Sequence, residues 1–441
     1  MSDQDPRTIP PAAATPEPAP APASAPAPAP AGPTPEAAER TTLATRIGRL
    51  LGSLLIPALA IVTGLLVGAV IVIFSDHEVV GGLASDPLGA LGLGVGRAID
   101  AYGALFAGSL GDPGRMLTAI GSGDNAQLIR AFRPISESLL SATPLIFAGL
   151  AVALGFRSGL FNIGGEGQLY LGAIFGVFAS FAFTGLPMIV HLPLAVVFGF
   201  LGGAVWGAIP GVLKARTGAH EVIVTIMLNY VAYRLLDILL KNPPFQREGS
   251  TNPISKIVPD SAAMPPLIEG LRVTWWFPVA LLTAFAVSWL LFKSTKGFEF
   301  RAVGLNPGAA KYAGISVGLT TALTMIVSGG LAGLAGASVM LVQRGTLTPG
   351  FSPGYGFDAI AIALLGRSRP SGVVAAALLF GVLRAGATTM QASTQIPIDL
   401  VVVVQSFVIM FIAAPALVRG IYRIRTAKVT GTEVFMKGWG A

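Results

Sequence analysis

Runs of about 20 apolar residues recur along this chain, the length an α-helix needs to cross the hydrocarbon core of a bilayer. In lipid every backbone N–H and C=O must be satisfied within the protein, so such runs are expected to be helices. They cover 53–74, 135–156, 163–183, 192–213, 222–240, 275–292, 317–342, 372–390 and 398–418. A shorter piece, FDAIAIALLG at 357–366, precedes Arg367 and Arg369. Counted as a short crossing, it brings the expectation to about ten transmembrane helices in an all-α polytopic membrane protein. Only 12% of the 441 residues are charged, against about 25% in soluble domains.

The basic residues predict an orientation. With the N-terminus inside, the inner loops hold Arg157; Lys214 and Arg216; Lys293, Lys296, Arg301 and Lys311; and Arg367 and Arg369. The C-terminal end adds Arg419, Arg423, Arg425 and Lys428. This is the positive-inside asymmetry, and it requires the short crossing. Both termini are then cytoplasmic, in a plasma-membrane protein. The net charge of +7 is spent on topology, so nucleic acid is not expected as a partner. The segment 75–133 is long, carries several acids, and reads as an external stretch of interfacial or short helices.

Residues 1–40 are a different material. Pro/Ala low complexity cannot bury a core and favours extended polyproline II. They read as a disordered cytoplasmic tail, without the layout of a signal peptide. The transmembrane body is expected over 41–425, with a hydrophilic inner loop at 293–316, followed by a cytoplasmic tail at 426–441.

Several chemistries find no support. The chain has no cysteine, which removes thiol catalysis and thiolate metal sites. The three histidines, His77, His191 and His220, are far apart, and no metal site is expected. There is no phosphate-binding G-x-x-x-x-G-K-[ST], no G-x-S-x-G and no H-E-x-x-H. The chain is expected to bind no cofactor and to catalyse no reaction.

Polar residues inside spans are costly and mark protein- or water-facing positions. The densest case is FNIGGEGQLYLG at 161–172, with Asn162, Glu166 and Gln168 among glycines. Such a segment is a candidate pathway lining or helix re-entry. The plainer alternative is that Asn162 caps a helix start and Glu166 supports its first turn. Asn229 lies mid-span and is a further candidate for the pathway or a helix joint, the plainer reading being interhelical hydrogen-bond glue, as for Gln405. Arg384 lies inside 372–390, also a candidate for the pathway or a helix joint, and either snorkels or pairs with Asp358 or Asp399. Stripes of small residues at Gly199, Gly203, Gly207 and Gly211, and at Gly172, Gly176 and Ser180, read as close helix packing. In the inner loop, Asn306-Pro307 opens a short helix that Gly314 closes. Gly304, Asn306, Pro307, Ala309, Ala310 and Gly314 form a candidate docking element.

Four runs carry a family likeness. They are TPLIFAGLAVALGFRSGLFNIGGEGQLYLGA from Thr143, GAHEVIVTIMLNYVA from Gly218, RAVGLNPGAAKYAGI from Arg301 and GFDAIAIALLGRSRPSGVVAAALLFGVLRAG from Gly356. In them the chain resembles permeases of bacterial ABC importers of the ribose, branched-chain amino acid and nucleoside superfamily, and most of all the nucleoside-type branch. His220 and Gly165 stand where that branch often has Asn and Ala. The resemblance implies cytoplasmic ABC ATPase subunits that use ATP and dock on the 304–315 segment. It also implies a second related permease and an extracytoplasmic substrate-binding protein, often a lipoprotein. The implied cargo is a nucleoside, the alternative being a simple sugar or other small solute. An ion-coupled secondary transporter is the competing class, since broken helices and buried charges serve those too.

Overall fold

The computed structural model describes residues 43–423. The expectations for 1–40 and 426–441 lie outside them. Contacts divide the chain into Met1–Ser53 and a compact unit, Leu54–Ala441.

The described residues form helices and connections, without named strands. In chain order they are α1 (Leu43–Ser75), α2 (His77–Gly82), α3 (Pro87–Leu110), α4 (Pro113–Ser122), α5 (Asn125–Arg157), α6 (Gly165–Ala182), α7 (Met188–Thr217) and α8 (Glu221–Leu239). Then come α9 (Trp276–Lys293), α10 (Thr295–Leu305), α11 (Pro307–Tyr312), α12 (Val317–Met340), α13 (Tyr355–Leu365), α14 (Pro370–Thr394), α15 (Ile398–Ala413) and α16 (Pro415–Ile421). Seven described helices are long and apolar enough to cross a membrane. The polar start of α6 and the short lengths of α13 and α15 keep these three out of that count, and with them the expected total of about ten is met.

The stretch 75–133 departs most from expectation. It contains α3, a helix of 24 residues, and it holds the first turns of α5, which starts at Asn125 instead of 135. The acids explain this. Asp76, Asp86, Asp112 and Asp124 are the N-caps of α2, α3, α4 and α5, each accepting from backbone N–H groups of its first turn. Pro87 and Pro113 follow two of them at the first helical position, where a missing N–H costs nothing. A second departure is the run 398–418, which breaks at Ala414 so that Pro415 opens α16. Proline has no N–H to continue the ladder.

α3 is fastened to three neighbours. Tyr102 Oη donates to Leu65 O on α1 at 2.6 Å, and Ser138 Oγ on α5 donates to Ser109 O at 2.7 Å. Gly386 on α14 lies so close to the Leu105 carbonyl that a Cβ would collide with it.

The glycine stripe of α7 packs on α12, as expected for small residues in lipid. A Cβ on Gly203 would strike the backbone of Gly329 and Gly333, and one on Gly207 the backbone of Met325 and Gly329. Gly172 on α6 meets Gly333 on α12. These three helices therefore touch backbone to backbone.

At one end of the bundle the finish of α5 meets those of α9 and α13. Arg157 donates to Ser368 O at 3.0 Å and Arg367 O at 3.1 Å. The Arg157 and Arg301 guanidiniums sit 5.7 Å and 5.6 Å from the centre of the Phe292 ring. Basic residues distant in sequence thus share one end.

Candidate functional site

The segment after α5 is not helical. Gly159 takes φ +70, which suits glycine, and Leu160 N bonds back to Gly155 O at 2.9 Å. The chain then returns alongside α5, and its next polar side chain, Asn162, is buried. Asn162 Nδ2 donates to Gln168 Oε1 at 2.8 Å and Ser328 Oγ at 2.9 Å. Its Oδ1 accepts from Gly164 N at 3.0 Å and Gln168 Nε2 at 3.1 Å. Ser328 passes the chain on to Ala151 O at 2.7 Å. Asn229 on α8 closes the network. Its Oδ1 accepts from Gly167 N at 2.8 Å and its Nδ2 donates to Ile163 O at 3.1 Å. Asn229 is the interhelical glue expected of it, fixing α8 to the start of α6.

Irregular backbone inside a bundle needs this degree of satisfaction. Asn162, Gln168 and Asn229 spend their amides on protein. Asn162 holds the turn before α6. The N-cap position itself is Gly164, which offers no side chain.

Glu166 does not support its own first turn. Its Oε2 accepts from Gly356 N at 2.6 Å, across 190 residues of sequence. Gly356 is the second residue of α13, and the N-cap of that helix is Gly354, at φ +90 and without a capping side chain. The carboxylate supplied by α6 therefore caps α13, where negative charge meets the positive end of the helix. No side chain fits at Gly356, because a Cβ would strike the Glu166 backbone.

The expected partner of Arg384 is also settled. Arg384 pairs with Asp358 at 3.0 Å, donates to Pro353 O at 3.2 Å and stacks 4.6 Å from the Tyr355 ring centre. Glu166, Asp358 and Arg384 thus gather around the first turn of α13, drawn from three helices.

Beside them opens a cavity of about 450 Å³ between α6, α8 and the connection into α13. Glu166, Tyr170, Tyr230, Tyr233, Asp237 and Ser352 are among its lining residues. Tyr170 lies 4.8 Å from Tyr233 and 4.6 Å from Phe351, ring centre to centre, and Tyr230 lies 6.1 Å from Tyr233. Sequence reasoning missed these tyrosines, which read as ordinary span residues. The available signal was periodicity: Tyr230, Tyr233, Arg234 and Asp237 recur at helical spacing on one face of α8.

The inner-loop residues form a separate element. α11 starts at Pro307, and Asn306 Oδ1 accepts from Ala309 N at 3.0 Å. Gly314, at φ +81, follows its end, and Ile315 N bonds Ala310 O. Asn306, Pro307, Ala309 and Gly314 are exposed, whereas Ala310 is buried beneath them. Gly304 faces inward, against the Arg157 carbonyl and Gly159 N. Tyr312 is 97% exposed, a large ring set in the open at the end of α11.

Among the described residues no group of three or more His, Cys, Asp or Glu could hold a metal ion. His191 is buried and bonds Ser261 Oγ at 2.8 Å. The polar groups join helices, pair charges and line a cavity.

Comparison with known proteins places the chain in a family. A family model described as "branched-chain amino acid transport system / permease component" matches residues 135–413. The chain is 38% identical to the guanosine ABC transporter permease protein NupP of Bacillus subtilis, over 84% of this chain and 95% of that one. It is 34% identical to the nucleoside ABC transporter permease protein NupB of Lactococcus lactis, over 81% of this chain and 90% of that one. It is 37% identical to the glucose ABC transporter permease protein TsgB13 of Haloferax volcanii, over 63% of this chain and 75% of that one. No solved structure matches the chain significantly. The chain is a multi-pass membrane protein and belongs to this family of ABC transporter permease components, a transport subunit and not an enzyme.

Proposed function

We propose that this chain is the membrane-spanning subunit of an ATP-driven importer whose cargo is a nucleoside. The likeness to two nucleoside permeases along most of the chain carries this reading. A simple sugar is the second reading, favoured by the likeness to a glucose permease.

The chain holds no ATPase motif and binds no cofactor of its own. ATP is used by cytoplasmic partner subunits docked on α10 and α11. A second, related permease completes the membrane part, and an extracytoplasmic binding protein delivers the cargo. Both termini face the cytoplasm, on the side of Arg157, Arg301 and Arg367.

Exposed Ala309 and Tyr312 support α11 as the docking surface. Gly304 gives it a route inward. It rests on the 157–159 bend, and that bend leads through Asn162 to Glu166 and the cap of α13. Displacement of α10 by the ATPase would therefore press on the joint that holds α6 to α13. Differential binding of the ATPase to two arrangements of that joint shifts their populations.

The test is uptake of labelled guanosine by cells lacking the protein and by cells in which it is restored. Restored uptake that excess uridine competes, and that ribose, glucose and leucine do not, supports nucleosides. Competition by glucose or ribose favours the sugar reading, and uptake independent of the protein contradicts the nucleoside assignment.

A further inference from the structure

We propose that the cavity between α6, α8 and the α13 connection is the resting place of the permeating nucleoside. Tyr170, Tyr230 and Tyr233 form its stacking wall, and Glu166 and Asp237 accept from its hydroxyl and amino groups. The proposal rests on the nucleoside reading above.

The argument starts from α8. One face of this helix is buried through Thr225, Asn229, Ala232 and Leu236. A neighbouring face carries Tyr230, Tyr233, Arg234 and Asp237, although the helix is one of the candidate membrane spans. The Arg234 side chain is 83% exposed and pairs with Asp237, one turn further on, at 3.3 Å. A guanidinium within a span is costly against lipid, and Arg234 lines the cavity together with Asp237. Tyr230, at 62% exposure, belongs to the same face.

The cavity lies where that face meets Glu166. Its volume of about 450 Å³ falls in the range of small-molecule sites, and such sites combine apolar walls with a few convergent polar groups. Here the wall is aromatic. Tyr170 is buried and braced by Tyr233 and Phe351, so it is held in place before any ligand arrives. Tyr230, set edge-on to Tyr233 at an interplanar angle of 83°, is free to meet a guest.

The chemistry selects the ligand class. Aromatic side chains stack any nucleobase because every base has a π-face. The carboxylates of Glu166 and Asp237 accept hydrogen bonds from ribose hydroxyls and exocyclic amines. A free aliphatic amino acid, whose ammonium and carboxylate the acids and Arg234 would meet, would leave the stacking wall without a planar partner. A sugar would use the acceptors and leave the stacking wall without a planar partner. A nucleoside uses both.

The position of Glu166 also ties occupancy to conformation. The same carboxylate that lines the cavity caps α13 through Gly356 N. A guest that competes for its oxygens loosens the joint on which the docking element bears.

The test is uptake of labelled guanosine and uridine by cells whose permease carries Tyr230→Ala or Tyr230→Phe, with membrane abundance measured alongside. Tyr230 is exposed, so its truncation opens no hole in the core. Tyr230→Ala is expected to lower guanosine uptake about tenfold and uridine uptake less, because the smaller base stacks over less area. Tyr230→Phe keeps the ring and is expected to stay within about twofold of the unaltered protein. Tyr233→Ala should reproduce the same guanosine-weighted loss. Guanosine and uridine uptake unchanged in both alanine variants, or lowered equally by Ala and Phe, overturns the cavity site while leaving the functional reading in place. No nucleoside uptake by the unaltered protein overturns the functional reading and the site together.

Discussion

Glu166 Oε2 and Gly356 N are joined by a 2.6 Å hydrogen bond that ties the first turn of α6 to the first turn of α13. Gly354 cannot cap α13, having no side chain, and Glu166 provides the acceptor from another helix. The bond is buried, charge-assisted and placed at the positive end of a helix, which makes it strong for its kind.

Replacing Glu166 by Gln keeps an acceptor and removes the charge. We expect Glu166→Gln to lower uptake about five- to thirtyfold, the equivalent of roughly 1–2 kcal/mol, at unchanged membrane abundance. Glu166→Ala leaves Gly356 N without its partner and should lower abundance as well. Immunodetection of the protein in membranes separates the two effects. Full transport by Glu166→Gln would show that the charge contributes nothing to the joint.

Arg384 and Asp358 make a pair that is partly shielded from solvent, with about a fifth and a quarter of each side chain exposed. Removing one partner strands the other. Arg384→Met and Asp358→Leu should each cost about 2–3 kcal/mol, less than a fully buried pair. The double variant should cost less than the sum by about 1 kcal/mol or more. Thermal unfolding of the purified protein in detergent measures this, and additive losses would contradict a direct coupling.

The contact of α7 with α12 leaves no room for side chains at its centre. Gly203→Val places new atoms against the backbone of Gly329 and Gly333, and overpacking of this kind costs about 1–3 kcal/mol or more. Folded protein in membranes should fall severalfold. Gly92→Ala, with nothing within 4 Å of its added methyl, is the matched control and should be neutral.

Ala309 is exposed on α11. Ala309→Trp is therefore expected to leave the permease folded and abundant while lowering ATP-driven uptake by more than about tenfold, the effect of a blocked docking surface. Co-purification of the ATPase subunits should fall in parallel. Normal uptake and normal co-purification would remove α11 from the docking surface.

The spans themselves were legible because about 20 apolar residues in a row have few alternatives to a transmembrane helix. The short α13 was legible only through Arg367 and Arg369, which demanded an extra crossing. Arg384 was narrowed to two carboxylates, and the fold chose Asp358 because α13 and α14 are packed neighbours. α3 was not legible as one long helix, since Arg97 and Asp100 interrupt its apolar run. The aspartates that start α2 to α5, two of them followed by proline, were the unused signal. The partner of Glu166 was beyond sequence reasoning: local rules place a carboxylate in the first turn of its own helix, and only tertiary packing brings Gly356 to it. The tyrosine wall was missed for the related reason that an aromatic residue in a span looks alike whether it meets lipid, core or cavity.

The most direct test of the central claim is the energy source of guanosine uptake in cells that depend on this protein. ATP is depleted with arsenate in one culture, and the proton gradient is collapsed with an uncoupler in another that retains ATP. Uptake lost with ATP and retained without the gradient is the predicted result. Uptake that follows the gradient and survives ATP depletion would contradict an ABC permease and point to an ion-coupled carrier.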